Sequence, residues 1–83
     1  MKINLEAAEE TAAQIRLRNI SGIVIIDFIN LEREEDQKTV MEHLRRCVRE
    51  DSVPVQVVDM TRLNLVELTR KKVEKSLAEQ LTE

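Results

Sequence analysis

A small α/β domain is the fold that this sequence of 83 residues predicts, and three observations predict it. Two stretches repeat apolar residues at helical spacing, a β-branched run of Ile23-Val24-Ile25-Ile26 lies between them, and valines alternate after the second. The order that results, α-β-α-β-β-α, contains one β-α-β unit, whose strands are expected to run parallel with a right-handed crossover. The sheet is therefore expected to be small and mixed, flanked by helices.

The first helix is read from residues 4 to 18. Asn4 can cap it, and Leu5, Ala8, Ala12 and Ile15 recur on one face. Glu6, Glu9 and Glu10 come early and Arg16 and Arg18 late, which complements the helix dipole. Asn19 or Gly22 supplies the left-handed stop. The run from Ile23 to Ile29 is continuous in its apolar character, a pattern expected of a strand covered on both faces. A carboxylate, Asp27, stands near its far end. The second helix is read from about Arg33 to Arg49, with Val40, Met41, Leu44, Cys47 and Val48 along one side. Asp51 and Ser52 turn the chain, and Pro54 sits where a strand can begin without an amide hydrogen. Val53, Val55 and Val57 alternate into a short strand through Val58. Two readings fit Thr61 to Arg70: a strand with Leu63, Leu65, Glu67 and Thr69 on one face, which is preferred, or a helix using Leu65 and Leu68. From Lys71 onward, Val73, Leu77 and Leu81 are spaced by four and predict a terminal helix over residues 71–83.

Composition excludes several classes of function. Hydrophobic residues make up 42% and charged residues 35%, the balance of a soluble globular chain. Phe28 is the single aromatic residue, so no stacking platform for nucleic-acid bases can be built. A single cysteine, Cys47, excludes an intramolecular disulfide and a multi-cysteine zinc site. A net charge of −3 argues against strong polyanion binding by this piece alone. No apolar run approaches the ~20 residues of a membrane span and no secretory apolar region follows Met1, so a reduced cytoplasm is the expected location. A domain of roughly 80 residues is marginally able to supply its own core, which points to a homo-oligomer or a larger parent protein.

Asp27 is the first candidate for chemistry. Ligands of open α/β sheets gather at the carboxyl ends of strands, where a carboxylate can hold a metal or act as a general base. The alternative is that Asp27 caps a turn or pairs with an arginine in the loop. Asp59 ends the next strand, read as a parallel neighbour, and the two aspartates then form a candidate magnesium pair, an ion that favours oxygen ligands. His43 is read as a solvated helix residue and Cys47 as part of the core. Arg70, Lys71 and Lys72 form a cluster that either touches a phosphate backbone or is a solvated surface. The sequence holds no Walker loop, dinucleotide fingerprint, nucleophile elbow or zinc signature.

Several linked motifs then narrow the reading. Asn4-Leu5-Glu6-Ala7-Ala8-Glu9-Glu10, Gln14-Ile15-Arg16-Leu17-Arg18-Asn19-Ile20 with Gly22, and Ile25-Ile26-Asp27-Phe28-Ile29 resemble the catalytic core of the ribonuclease E/G family. Thr61-Arg62-Leu63-Asn64-Leu65-Val66-Glu67-Leu68-Thr69-Arg70-Lys71-Lys72 is similar to that family's T-R-x-G-L-x-E-M run and the Arg that follows it. The resemblance spans roughly residues 3 to 77 in one order.

The resemblance implies the DNase I-like subdomain of a larger endoribonuclease, which cleaves single-stranded RNA with magnesium and leaves a 5′-phosphate and a 3′-hydroxyl. The aspartate of the I-D-F-I motif, here Asp27, is then one of two metal-binding carboxylates. The second belongs to an Asp-x-Asn motif upstream of the first helix, which this chain lacks. It also lacks the family's oligonucleotide-binding barrel, 5′-end sensor, RNase H-like domain and paired zinc-link cysteines, and Cys47 does not match the last of these. Residues 1–83 are thus expected to be a single fragment, inactive in isolation, whose partners are single-stranded RNA and the remaining ribonuclease domains. Three positions depart from the family pattern. Asn30 replaces an aspartate, Asn64 replaces the glycine of T-R-x-G-L, and the helical pattern after Lys72 replaces a common proline break. The alternative function is a small non-catalytic interaction module held by its own dimer interface.

Overall fold

The computed structural model describes residues 1–72, which form two layers: two helices on one face of a three-stranded sheet. The elements are α1 (Lys2–Leu17), β1 (Gly22–Asp27), α2 (Glu34–Arg49), β2 (Val55–Val57) and β3 (Leu65–Arg70). The α/β class read from the sequence is therefore the observed one. The terminal helix expected over residues 71–83 lies almost entirely outside the described residues; Lys71 and Lys72 are in irregular backbone.

Strand order is the first departure from expectation. β3 lies between β1 and β2 and pairs antiparallel with both, so β1 and β2 run in the same direction without touching as neighbours. The β-α-β unit is present but split, and every neighbouring pair in the sheet is antiparallel rather than mixed. The alternation of β3 explains its central place. Val66 and Leu68 are fully buried beneath the helices while Glu67 and Thr69 face outward, so one strand supplies the middle of the inner face. The same alternation settles Thr61 to Arg70 as a turn followed by a strand.

The core is aliphatic around one ring. Ala8, Ala12 and Ile15 of α1 and Val40, Met41, Leu44 and Val48 of α2 close over Ile26, Phe28, Leu31, Val66 and Leu68. α2 follows the expected boundaries, with Glu34, Glu35 and Asp36 in its first turn and Arg46 and Arg49 in its last. Helix α1 begins two residues earlier than the sequence suggested. Its N-cap is Met1, without a side-chain cap bond, and Asn4 sits inside the first turn and is buried. Asn4 does not cap the helix because its amide is committed elsewhere, as described below.

Among the described residues, nothing packs on the outer face of the sheet. Ile23 is 67% and Ile25 62% exposed, and Leu65 lies beside them on β3. Among the described residues, the expectation of a strand covered on both faces is thus met on one face only. Of the two candidate left-handed stops, Asn19 takes the role, with φ 51° just past the end of α1, whereas Gly22, φ 96°, opens β1. Asn64, at the glycine position of the family pattern, has φ 60°, a left-handed conformation that asparagine tolerates better than other non-glycine residues. Asn64→Gly is expected to leave the melting temperature within a few degrees. Asn64→Ala, with no side chain suited to the left-handed region, is expected to cost about 1 kcal/mol, a fall of roughly 4–8 °C. Equal melting temperatures for the two variants would show that the turn is not held in this conformation.

Candidate metal-ligand site at the end of strand β1

Asp27 occupies the last register position of β1, opposite Leu65, with its side chain on the open face. The register also places Glu67 on that face, opposite Ile25 and diagonal to Asp27. Diagonal neighbours of this kind have their Cα atoms about 7–8 Å apart. Sequence reading had counted Glu67 only as a strand residue; the pairing register alone brings the two carboxylates to one side of the sheet.

Beyond Asp27 the chain leaves the ladder but stays tied down. The Phe28 amide donates to the Asn64 carbonyl at 3.0 Å. The Ile29 amide donates to Asn4 Oδ1 at 3.0 Å, and Asn4 Nδ2 donates to the Ile29 carbonyl at 2.7 Å. Phe28 and Leu31 are buried on either side, and Asn30 turns the backbone between them with φ 53°. The turn that presents the Asn64 carbonyl is itself braced, since Thr61 Oγ1 accepts from the Leu63 and Leu65 amides at 3.2 and 3.3 Å. Three segments that stand apart in the sequence, around Asn4, Asp27 and Asn64, thus meet in one place.

Asp59 is not part of this place. It follows β2, which β3 separates from β1, and its carboxylate accepts from Arg45 Nη2 at 2.7 Å. The suggested Asp27–Asp59 magnesium pair therefore does not form. Among the described residues no group of three or more His, Cys, Asp or Glu side chains is arranged to hold a metal ion. Asp27 offers a hard, exposed carboxylate suited to one ligand position of magnesium, which keeps several waters and takes one or two protein carboxylates. The donor chemistry fits the ion, and the described residues do not complete its coordination.

The cluster Arg70-Lys71-Lys72 does not stay together. Arg70 is 3% exposed, turned to the inner side, and its guanidinium meets Asp51 Oδ2 at 2.8 Å and Oδ1 at 3.1 Å. It also donates to Asn19 Oδ1 at 2.8 Å and to the Ile20 carbonyl at 3.1 Å. A guanidinium with those partners is a cross-link between the α1–β1 loop, the α2–β2 loop and β3, and it is not available to a phosphate. The hydrogen bonds from Arg70, in turn, hold the Asp51 carboxyl below the usual carboxylate range, against the upward push of burial. Lys71 and Lys72 are exposed.

His43 and Cys47 lie on the seam between the helices. His43 is half-buried and its Nε2 lies 2.8 Å from Glu9 Oε1, so it joins α2 to α1 instead of standing free in solvent. Cys47 packs against the core as expected; burial first, and then the charges of Glu9 and Glu50, push its thiol up, away from nucleophilic use.

A two-layer α/β unit with an aspartate presented at a braced strand end is the class of structure that these observations define. The family model of the Ribonuclease E/G family matches residues 1–73, and the chain belongs to that family. It is 47% identical over 76 residues to a protein named Ribonuclease E from Synechocystis sp., covering 92% of this chain and 11% of the relative. Against Ribonuclease E of Escherichia coli it is 41% identical over 76 residues, covering 92% and 7%. Against Ribonuclease G of the same species it is 40% identical over 74 residues, covering 89% and 15%. The chain thus spans a small part of the length of these curated relatives. No helix among the described residues is long and apolar enough to cross a membrane.

Proposed function

We propose that this chain is part of the catalytic core of a magnesium-dependent endoribonuclease acting on single-stranded RNA in the cytoplasm, with Asp27 as one metal ligand. The observation that carries the reading is the placement of Asp27. The aspartate of the I-D-F-I motif stands on the open sheet face, while each of the two residues after it is hydrogen-bonded to another of the family's motif segments. When bound, magnesium supplies an activated water and offsets charge on the attacked phosphate, which yields a 5′-phosphate and a 3′-hydroxyl. Asp27 would hold the ion with its carboxylate, presented by a strand end whose next two residues are hydrogen-bonded in place. Lys71 and Lys72, exposed at the end of β3, are the remaining candidates for contact with the RNA backbone. In a longer ribonuclease the other metal ligand would come from the Asp-x-Asn motif upstream of α1, and the RNA-binding surfaces from the remaining domains.

Two results are expected from the chain in solution. Manganese, used as the paramagnetic substitute, broadens backbone NMR signals of residues 26–30 first, and Asp27→Asn removes that pattern. If Asp27→Asn leaves it in place and Glu67→Gln removes it, the carboxylate is misassigned. The 83 residues alone are expected not to cut single-stranded RNA, because one carboxylate and a net charge of −3 hold neither metal nor RNA tightly. Turnover abolished by Asp27→Asn would refute that part.

The alternative, an interaction module formed by two copies, has one observation in its favour. Ile23, Ile25 and Leu65 lie on the open face, and β1 is an edge strand. A melting temperature that rises with protein concentration, together with no manganese response at Asp27, would favour it.

A further inference from the structure

We propose that Asn4 is a positioning residue for Asp27, and this rests on the reading of Asp27 as a metal ligand. Asn4 lies on the buried stripe of α1 together with Ala8, Ala12 and Ile15. It is 4% exposed, and asparagine is a poorer helix former than the apolar residues that would pack α1 against the sheet. Packing alone does not call for an amide at this position. The amide, however, carries an N–H donor group and a carbonyl acceptor side by side, as a strand's backbone does. Asn4 uses both on a single residue, Ile29, 25 positions away.

The side chain of Ile29 is itself half out of solvent contact and half exposed, at 49%, so these bonds do not serve to bury it. What they hold is backbone. The ladder ends at Asp27, and without Asn4 the amide and carbonyl of Ile29 would have no strand to pair with. With Asn4 in place, and with the Phe28 amide on the Asn64 carbonyl, the two residues after Asp27 are fixed through three hydrogen bonds. The exit direction of the chain is set, and with it the direction in which the Asp27 side chain leaves the backbone. Groups hydrogen-bonded directly to a metal ligand typically change metal affinity by about 10–100-fold when removed, and Asn4, which acts through the backbone two residues away, is expected at the low end of that range.

The test is manganese titration and amide hydrogen exchange, both read by NMR on the 83-residue chain. In the wild type the Ile29 amide is expected to exchange as slowly as that of Ile26 inside β1. Asn4→Ala is expected to lose this protection and to raise the manganese midpoint at residues 26–30 by about 10-fold. A destabilised control in the same helix, Ile15→Val, is expected to lower the melting temperature while leaving both readings unchanged. Should Asn4→Ala fail to fold, Asn4→Asp takes its place: it has the same shape and still accepts from the Ile29 amide, but cannot donate to the carbonyl. Its extra negative charge favours cations, so weaker manganese binding supports the proposal and tighter binding overturns it. The proposal is also overturned by an unprotected Ile29 amide in the wild type, by an unchanged midpoint in Asn4→Ala, or by an equal shift in Ile15→Val. If the wild type shows no response at residues 26–30, the metal reading fails. The positioning claim is then decided by whether the Asn4 variants, and not Ile15→Val, change the exchange rates and Cα shifts of residues 27–30.

Discussion

Arg70→Ala is expected to lower the stability of the fold by about 3–5 kcal/mol, the range seen when one partner of a buried ion pair is removed. The side chains of Arg70 and Asp51 are 3% and 2% exposed, so water does not replace the lost partner. Truncation leaves the Asp51 carboxylate buried without its counter-charge, and the Asn19 side-chain oxygen and Ile20 carbonyl lose their donor. The pair also carries a pH dependence. The Asp51 carboxyl titrates below its ordinary range in the folded state, first because Arg70 donates to it and then because the Val53 amide does so against the cost of burial. Since the folded value lies below the unfolded one, the stabilisation is fully present above about pH 4 and is lost as the pH falls through the folded value. Urea unfolding of the wild type is therefore expected to weaken on acidification below that point, with a flatter profile for Arg70→Ala. A loss under 1 kcal/mol with an unchanged acid profile would mean that the pair behaves as a surface ion pair.

What the sequence made legible follows from the range of the interactions. Helices α1 and α2 are visible because their apolar residues recur every three or four positions, and β3 because Val66, Leu68 and Arg70 alternate with Glu67 and Thr69. The identity of each strand was local information; the insertion of β3 between β1 and β2 was not. The run Ile23 to Ile26 carries apolar side chains on both faces, and its composition does not distinguish a face covered by helices from one left open. Arg70 shows the limit most clearly. In a row with Lys71 and Lys72 it looks like part of a basic patch, yet its partners lie 19 and 51 residues away. Asn4 was read as the cap of its own helix, whereas its amide pairs with the backbone of Ile29, 25 residues away, a partner that no local pattern reveals. The family motifs marked Asn4, Asp27 and Asn64 as positions of interest without revealing that they touch.

Phe28→Ala should show how closely the candidate site depends on the core. Phe28 is 2% exposed and packs among the residues that both helices close over. Removing a buried phenyl ring costs about 3–5 kcal/mol, through lost transfer energy and the cavity left behind. A domain of this size has roughly 4–12 kcal/mol in total, so the variant is expected to melt more than about 10 °C lower and to be partly unfolded near physiological temperature. Ile25→Thr, two residues before Asp27 on the same strand, is the matched comparison. It keeps the β-branched shape on the open face and is expected to change stability by less than about 1 kcal/mol. The contrast has a consequence for Asp27, which sits between a core anchor on one side and the open face on the other. Loss of Phe28 should abolish the manganese response at residues 26–30 by releasing the backbone that the Asn64 carbonyl holds, whereas Ile25→Thr should leave it intact. Equal thermal shifts for the two variants would mean that the outer face is covered in solution.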